Sequence, residues 1–342
     1  MTLFKYSEAA QIGITAAFAF LVIADLFGNS LVCLVVFRNR IMRTPMNFLL
    51  VNLAVADMTV AVFIAIRYIF TLVFVHPKGE IGDFVCQLLT GEAFTWVGAL
   101  ASAFSLVCIA LERYLAIKFP YDERKRITAG KLKIIVVVLW VMAASWNMPL
   151  FLYARYDPVS EFCLFHWPSA NFSKFHSPAC AVVYGALPIT IMIYLYSKLV
   201  YKLWFRPISS SSTIAQQNKL RYRKKSARLV VTVSVIYSVC WIPVLAIYVI
   251  SSFTSLQIYS SVHTTSIVFV TLNSAINPVL YSLQSDRFRK HMLALLQFPC
   301  CTRTSCRVVP AQVTTSNEDR DFKKTASTHL KMFPFESRNA TG

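Results

Sequence analysis

The chain has 342 residues, of which 56% are hydrophobic and only 15% charged. Soluble domains carry about 25% charged residues, so this composition excludes an ordinary water-soluble protein. The net charge of +18 asks for acidic surroundings. Its placement along the chain makes a membrane face or an acidic protein surface sufficient, with no nucleic-acid partner.

Seven apolar runs are long enough to cross a bilayer as helix, which takes ~20 residues. They cover Gly13–Phe37, Met46–Phe74, Phe84–Ile117, Leu132–Tyr153, Ala179–Phe205, Ala227–Ser251 and Ser260–Leu283. In hydrocarbon each backbone amide has to be satisfied within its own segment, which favours helices. The alternating ~10-residue runs of barrel strands are absent. The first run is longer than the ~7–15-residue core of a signal peptide and lacks a basic flank before it, so it reads as a retained span. The expected fold is an all-α membrane protein, a seven-transmembrane helix bundle. A short amino terminus over 1–12 precedes the bundle over 13–283. An amphipathic membrane-surface helix over 284–298 and a disordered cytoplasmic tail over 299–342 follow it.

Lys5, Lys78, Arg155 and Lys174 fall in one set of loops, while 29 of the 34 basic residues fall in the other. Positive charge favours the cytoplasmic side, so the amino terminus is expected outside and the carboxyl terminus inside. Cys33, Cys108 and Cys240 lie within spans and read as packing residues. Cys86 and Cys163 lie at outer ends, facing an oxidising compartment, and are positioned to form a disulfide; Cys180 is a rival partner. Cys300, Cys301 and Cys306 follow the last span, where palmitoylation of Cys300 and Cys301 is the natural reading. Asn171-Phe172-Ser173 is a glycosylation sequon on the outer side.

The remaining signals are polar residues at membrane depth, which are costly and usually face a bundle interior. They stand in a specific order: GNSLV with Asn29, NFLLVNLAVADM with Asp57, Glu112-Arg113-Tyr114, Trp140, Pro188, CWIP with Trp241 and Pro243, and NPVLY with Asn277, Pro278 and Tyr281. On their spans, these motifs resemble the rhodopsin-like (class A) G-protein-coupled receptors from about Gly28 to Met292. The resemblance implies a plasma-membrane receptor that opens a cytosolic crevice to a heterotrimeric G protein. Receptor kinases and arrestin are further implied partners. It also implies that Arg113 rests against Glu112 and is released on activation, when Tyr196 and Tyr281 meet it. Trp241 and the prolines of spans five to seven would serve the movement. Asp57 would hold an allosteric sodium ion with oxygens from Ser102, Asn273, Ser274 and Asn277; no other cofactor is expected. The plain alternative for Asp57 is a carboxylate satisfied by neighbouring amides.

Four positions depart from the family pattern. Tyr237 stands one turn before Trp241, where phenylalanine is usual. Ala103 replaces a branched aliphatic residue. The basic start of span six lacks an acid that could lock Arg113, which suggests basal activity. Cys86 lies about two residues further from Arg113 than is usual, which predicts a bulge at the top of span three.

The ligand pocket is expected among Arg67, Tyr68, Glu92, Thr95, Trp241, Tyr248 and Ile267. Arg67 and Glu92 either pair with each other or receive a zwitterionic or amidated ligand. Thr95 stands where an amine receptor of this family would carry aspartate, and the last span has no lysine for retinal. The short amino terminus and a hairpin-forming second outer loop suit a short neuropeptide over a small amine or lipid. A transporter would show repeated halves, and none are visible. An enzyme would need a nucleophile–base or metal set, and no His-Glu-x-x-His pattern is present.

Overall fold

The computed structural model describes residues 8–119, 122–159, 162–204, 214–254, 261–284 and 286–296. Among them, seven helical segments are long and apolar enough to cross a membrane: Gln11–Arg38, Pro45–Tyr68, Gly79–Lys118, Ala129–Tyr153, Asn171–Lys202, Val231–Phe253 and Val262–Leu283. They are called helices one to seven. Helix three is the most buried of the set and helix four the least. The chain is therefore a multi-pass helix bundle wrapped around helix three. Cys300, Cys301 and the expected tail lie outside the described residues.

Local chemistry places the helix starts. Thr44 caps helix two by accepting from the Asn47 amide, with Pro45 in the first turn, where its missing N–H costs nothing. Thr128 caps helix four in the same way. Helix five begins at Ala170, nine residues before its apolar run, because Ser169 caps it by accepting from the Phe172 amide. The second outer loop is correspondingly shorter than hydropathy suggests. It contains the expected hairpin, Ala154–Asp157 paired antiparallel with Phe162–Phe165, which places Tyr156 opposite Cys163.

Two irregular segments bear on function. Helix three starts at Gly79, passes through a π turn at Cys86–Thr90, and restarts as Ala93–Lys118. The extra residues before Arg113 are absorbed there. Gly91 sits so close to the chain that a Cβ would lie 2.2 Å from the Cys86 carbonyl oxygen. Glu92 follows with a left-handed φ of 68°, a strained conformation for a residue with a side chain. Helix five carries a second π turn, Ala181–Ala186, between Pro178 and Pro188. At the other side of the bundle, Gly28 lets helices one and seven close up, since a Cβ there would lie 2.9 Å from the Pro278 ring.

The short helix after the bundle runs from Asp286 to Leu296. Phe288 is buried against Tyr281, while Met292 and Leu295 pack on the core. One face is thus spent on the bundle, as an amphipathic surface helix requires.

Candidate functional site

At the hairpin end, Cys86 and Cys163 form the disulfide, and Cys180 remains a free thiol. The disulfide ties the π turn of helix three to the hairpin. Arg67, only 1% exposed, is the centre of this region. Its guanidinium donates to the carbonyls of Thr90 at 2.6 Å and Cys163 at 3.2 Å. It pairs with Glu92 at 3.3 Å and lies 3.4 Å over the Phe162 ring. Glu92 also accepts from Tyr68 at 2.7 Å and from Trp96 at 3.4 Å. Arg67 and Glu92 are thus paired with each other in this structure.

A narrow cavity of about 40 Å³ lies beside the cluster. Of the expected pocket residues, Glu92 and Tyr248 line it. Arg67, Tyr68, Thr95, Trp241 and Ile267 are buried and are not among its lining residues. The cavity shifts towards helices four and five, whose Asn147, His176 and Cys180 also line it, together with His263 of helix seven. The early start of helix five brings His176 in, where it meets the Tyr248 hydroxyl at 3.3 Å. Asn147 accepts from the Tyr184 hydroxyl at 2.8 Å. The sequence signal for these residues was weak, since isolated polar residues near span ends are usually surface.

Below the cavity, Trp241 stacks on Tyr184 and Tyr237, with centroid separations of 5.7 and 5.4 Å, and meets the edge of Trp96. The Tyr237 hydroxyl donates to the Tyr184 carbonyl. Pro188, four residues after Tyr184, has no N–H with which to reach that carbonyl. The hydroxyl that distinguishes Tyr237 from phenylalanine therefore bonds helix six to the irregular turn of helix five. Pro243 lies inside helix six and Pro278 inside helix seven.

At the bundle centre, Asp57 is fully buried. Its two oxygens accept from Ser102 and Asn277, each at 2.8 Å. Ser274, also buried, stands three residues before Asn277 on helix seven. Asn273 is buried next to Ser274 but has no bond to Asp57 among the described residues. Nearby, Asn52 donates to Ser105 at 2.8 Å and accepts from Trp140 at 3.0 Å, joining helices two, three and four. Asp25 of helix one, which sequence analysis passed over, is also fully buried and accepts from Asn29 at 3.0 Å. Its signal was available as an acid one helical turn from a marker asparagine.

At the opposite end from the hairpin, Arg113 pairs with Glu112 at 2.9 Å. Tyr114 follows, with Lys118 over its ring. Tyr196 is buried and accepts from Ser234 at 3.2 Å. Tyr281 is buried with no partner for its hydroxyl among the described residues. Lys202 of helix five donates to the Ile117 and Lys118 carbonyls, capping the end of helix three.

A bundle with a disulfide-held hairpin over a cavity at one end and an acid–arginine pair at the other has the build of a seven-helix membrane receptor. The family described as 7 transmembrane receptor (rhodopsin family) matches residues 28–281, and the chain belongs to it, as a class A G-protein-coupled receptor. This is a family of signalling receptors rather than of enzymes. The chain is similar to a QRFP-like peptide receptor of Branchiostoma floridae, 26% identical over 91% of this chain and 83% of that protein. It is 30% identical to the allatostatin-A receptor of Bombyx mori, over 80% of this chain and 76% of that protein. The substance-P receptor of Homo sapiens is 27% identical over 84% of this chain and 70% of its own length.

Proposed function

We propose that this receptor binds a short peptide at the hairpin end, outside the plasma membrane, and activates a heterotrimeric G protein at the Arg113 end, inside the cell. The observation that carries the ligand class is that relatives from a lancelet, a moth and a mammal are all named as peptide receptors. The narrow cavity beneath the hairpin marks where a peptide terminus would enter once the packing opens. The skew of basic residues supports the orientation.

The side-chain arrangement reads as the resting packing. Arg113 lies against Glu112, Tyr196 accepts from Ser234, and the Tyr281 hydroxyl has no partner among the described residues. A ligand that favours the alternative packing shifts the population towards it, since a ligand moves an equilibrium only by its differential affinity. The expected movement swings the inner end of helix six outward, with the Pro243 region as hinge. Arg113 and Tyr114 then face the G protein, and Tyr281 and Tyr196 are free to turn inward. Receptor kinases and arrestin are the further partners proposed. Asn171, exposed in the first turn of helix five, is the proposed glycosylation site. Cys300 and Cys301 are the proposed palmitoylation sites.

The oxygen donors around Asp57 suit a hard monovalent cation such as sodium. Asp57, Ser102, Ser274 and Asn277 would hold it, with Asn273 beside them, stabilising the resting packing.

The test is guanine-nucleotide exchange on a panel of G proteins in membranes holding the receptor or its Arg113→Ala variant. The expected result is exchange that rises with pooled short amidated peptides and falls at least ~10-fold in the variant. Exchange that rises with biogenic amines or lipids, and with no peptide pool, overturns the peptide reading.

A further inference from the structure

Helix five spends its first turns beside the cavity, and two of its side chains there are of metal-ligating type. His176 and Cys180 stand four residues apart in the segment Ala170–Cys180, a spacing that puts them on one helix face. Both line the cavity, at 8% and 7% exposure, and Cys180 is a free thiol. Its sulfur lies 3.6 Å from Nδ1 of His176 and 3.7 Å from Nε2. A thiolate and an imidazole on one tetrahedral zinc, at about 2.3 and 2.0–2.1 Å from the metal, lie about 3.6 Å apart. The pair thus stands at the separation of two ligands on one ion.

The imidazole is also held in place. Its ring packs on Trp167 and Phe172, with centroids 5.1 and 5.7 Å away. Nδ1 lies 3.3 Å from the Tyr248 hydroxyl. With the ring proton on Nδ1 donated to that oxygen, Nε2 keeps its lone pair for a metal. Metal-ligating histidines commonly have their tautomer fixed by such an outer bond. The cavity of about 40 Å³ is narrow for a peptide side chain, yet exceeds the ~10–15 Å³ that one water-sized guest needs. The two sulfurs near His76, by contrast, are spent on each other in the disulfide and offer no thiolate.

We propose that His176 and Cys180 hold a borderline-soft divalent cation of the zinc class at the outer end of helix five. Cys180 gives its thiol proton to solvent as the metal binds, because the thiolate is the ligand. Sulfur and nitrogen donors select such a metal over calcium and magnesium, which take oxygen. The remaining coordination positions open on the cavity, where water fills them or a donor atom of an entering peptide displaces it. That last step rests on the peptide reading; the metal site does not.

The experiment uses the full-length receptor, purified with no peptide present. It carries Cys300→Ser, Cys301→Ser and Cys306→Ser, so that thiols of the tail bind no metal. Zinc binding is measured by equilibrium dialysis. Cobalt binding is measured by absorption, where a thiolate-to-cobalt charge-transfer band reports a sulfur ligand. Zinc is expected to bind saturably at about one ion per chain, unaffected by excess calcium or magnesium, and cobalt to give the thiolate band. Cys180→Ala should abolish the band and weaken zinc binding at least ~10-fold. His176→Phe, which keeps a ring between Trp167 and Phe172, should weaken zinc by a similar factor. The melting midpoint of each variant, taken with chelator present, reports that it is folded. No saturable zinc binding, or no thiolate band, in the parent protein overturns the proposal without reference to any variant. A thiolate band that persists in folded Cys180→Ala assigns the metal to another cysteine and overturns it as well. Failure of the peptide reading is separately visible, as a receptor that binds zinc in this way while no peptide pool stimulates nucleotide exchange.

Discussion

At the hairpin end, the Arg67 guanidinium meets two backbone carbonyls, a carboxylate and an aromatic face. Deeper in the same bundle, Asp25, Asn29, Trp241 and Tyr281 carry buried polar atoms with no hydrogen-bond partner among the described residues, and so do Thr95 and Trp146 near the cavity. Burying a polar atom without a partner costs about 1–3 kcal/mol, so each such atom needs a reason. The difference separates one cluster built to hold still, around Arg67, from positions around and below the cavity where a second packing has something to gain. A saturated polar cluster has nothing to gain from a second packing. An unsaturated one does, whether through an ion, a ligand or a helix shift that brings in the missing donor.

Removing Arg67 tests the rigid side most severely. Arg67→Met leaves Glu92 buried and unpaired, and is expected to cost about 3–5 kcal/mol of stability, read as loss of cell-surface receptor. Arg67→Met with Glu92→Gln removes both charges and is expected to recover more than half of that loss. A double variant no better than the single one would show that Arg67 holds the hairpin through the two carbonyls rather than through the ion pair.

Breaking the disulfide comes next. Cys86→Ser opens a cross-link between residues 77 apart and is expected to cost about 2–5 kcal/mol. Peptide-stimulated exchange should fall with surface expression, because the hairpin loses its anchor to helix three.

On the unsaturated side the effects should be smaller in stability and larger in signalling. Tyr237→Phe removes only the hydroxyl that bonds the Tyr184 carbonyl. It is expected to weaken the resting packing by about 1 kcal/mol, which raises basal nucleotide exchange about fivefold. Unchanged basal exchange would mean that this bond survives activation. The smallest effect is expected at Trp140→Phe, which removes one half-buried hydrogen bond to Asn52. A cost of about 0.5 kcal/mol and unchanged exchange would mark that link as belonging to the fixed part.

The seven spans were legible because hydrocarbon imposes a length and a polarity that few other environments do. The polar markers were legible because charge at membrane depth has few harmless explanations, and Asp57, Ser102 and Asn277 do lie together. The disulfide could be read from the placement of Cys86 and Cys163 near one membrane face. Capping and backbone irregularity were harder to see. Ser169 extends helix five upward and brings His176 into the cavity, which hydropathy does not register. The spacing of Cys86 predicted a bulge, but not that Glu92 would adopt a left-handed backbone and spend its carboxylate on Arg67. Those two outcomes moved the cavity away from the expected Arg67 side. Asp25 lies outside the family pattern and so carries no motif signal, although the cost of a buried acid applies equally to it.

The most direct test of this division is a pair of distances measured by spin labels, with and without a bound G-protein mimic. One pair joins position 75 to position 159 across the hairpin end, where both valines are exposed. The other joins position 40 to position 228 at the Arg113 end, where both arginines are exposed. The account predicts that the second distance grows by several ångströms when the mimic binds while the first is unchanged. A hairpin distance that shifts as much as the helix-six distance, or a helix-six distance that does not change, would contradict it.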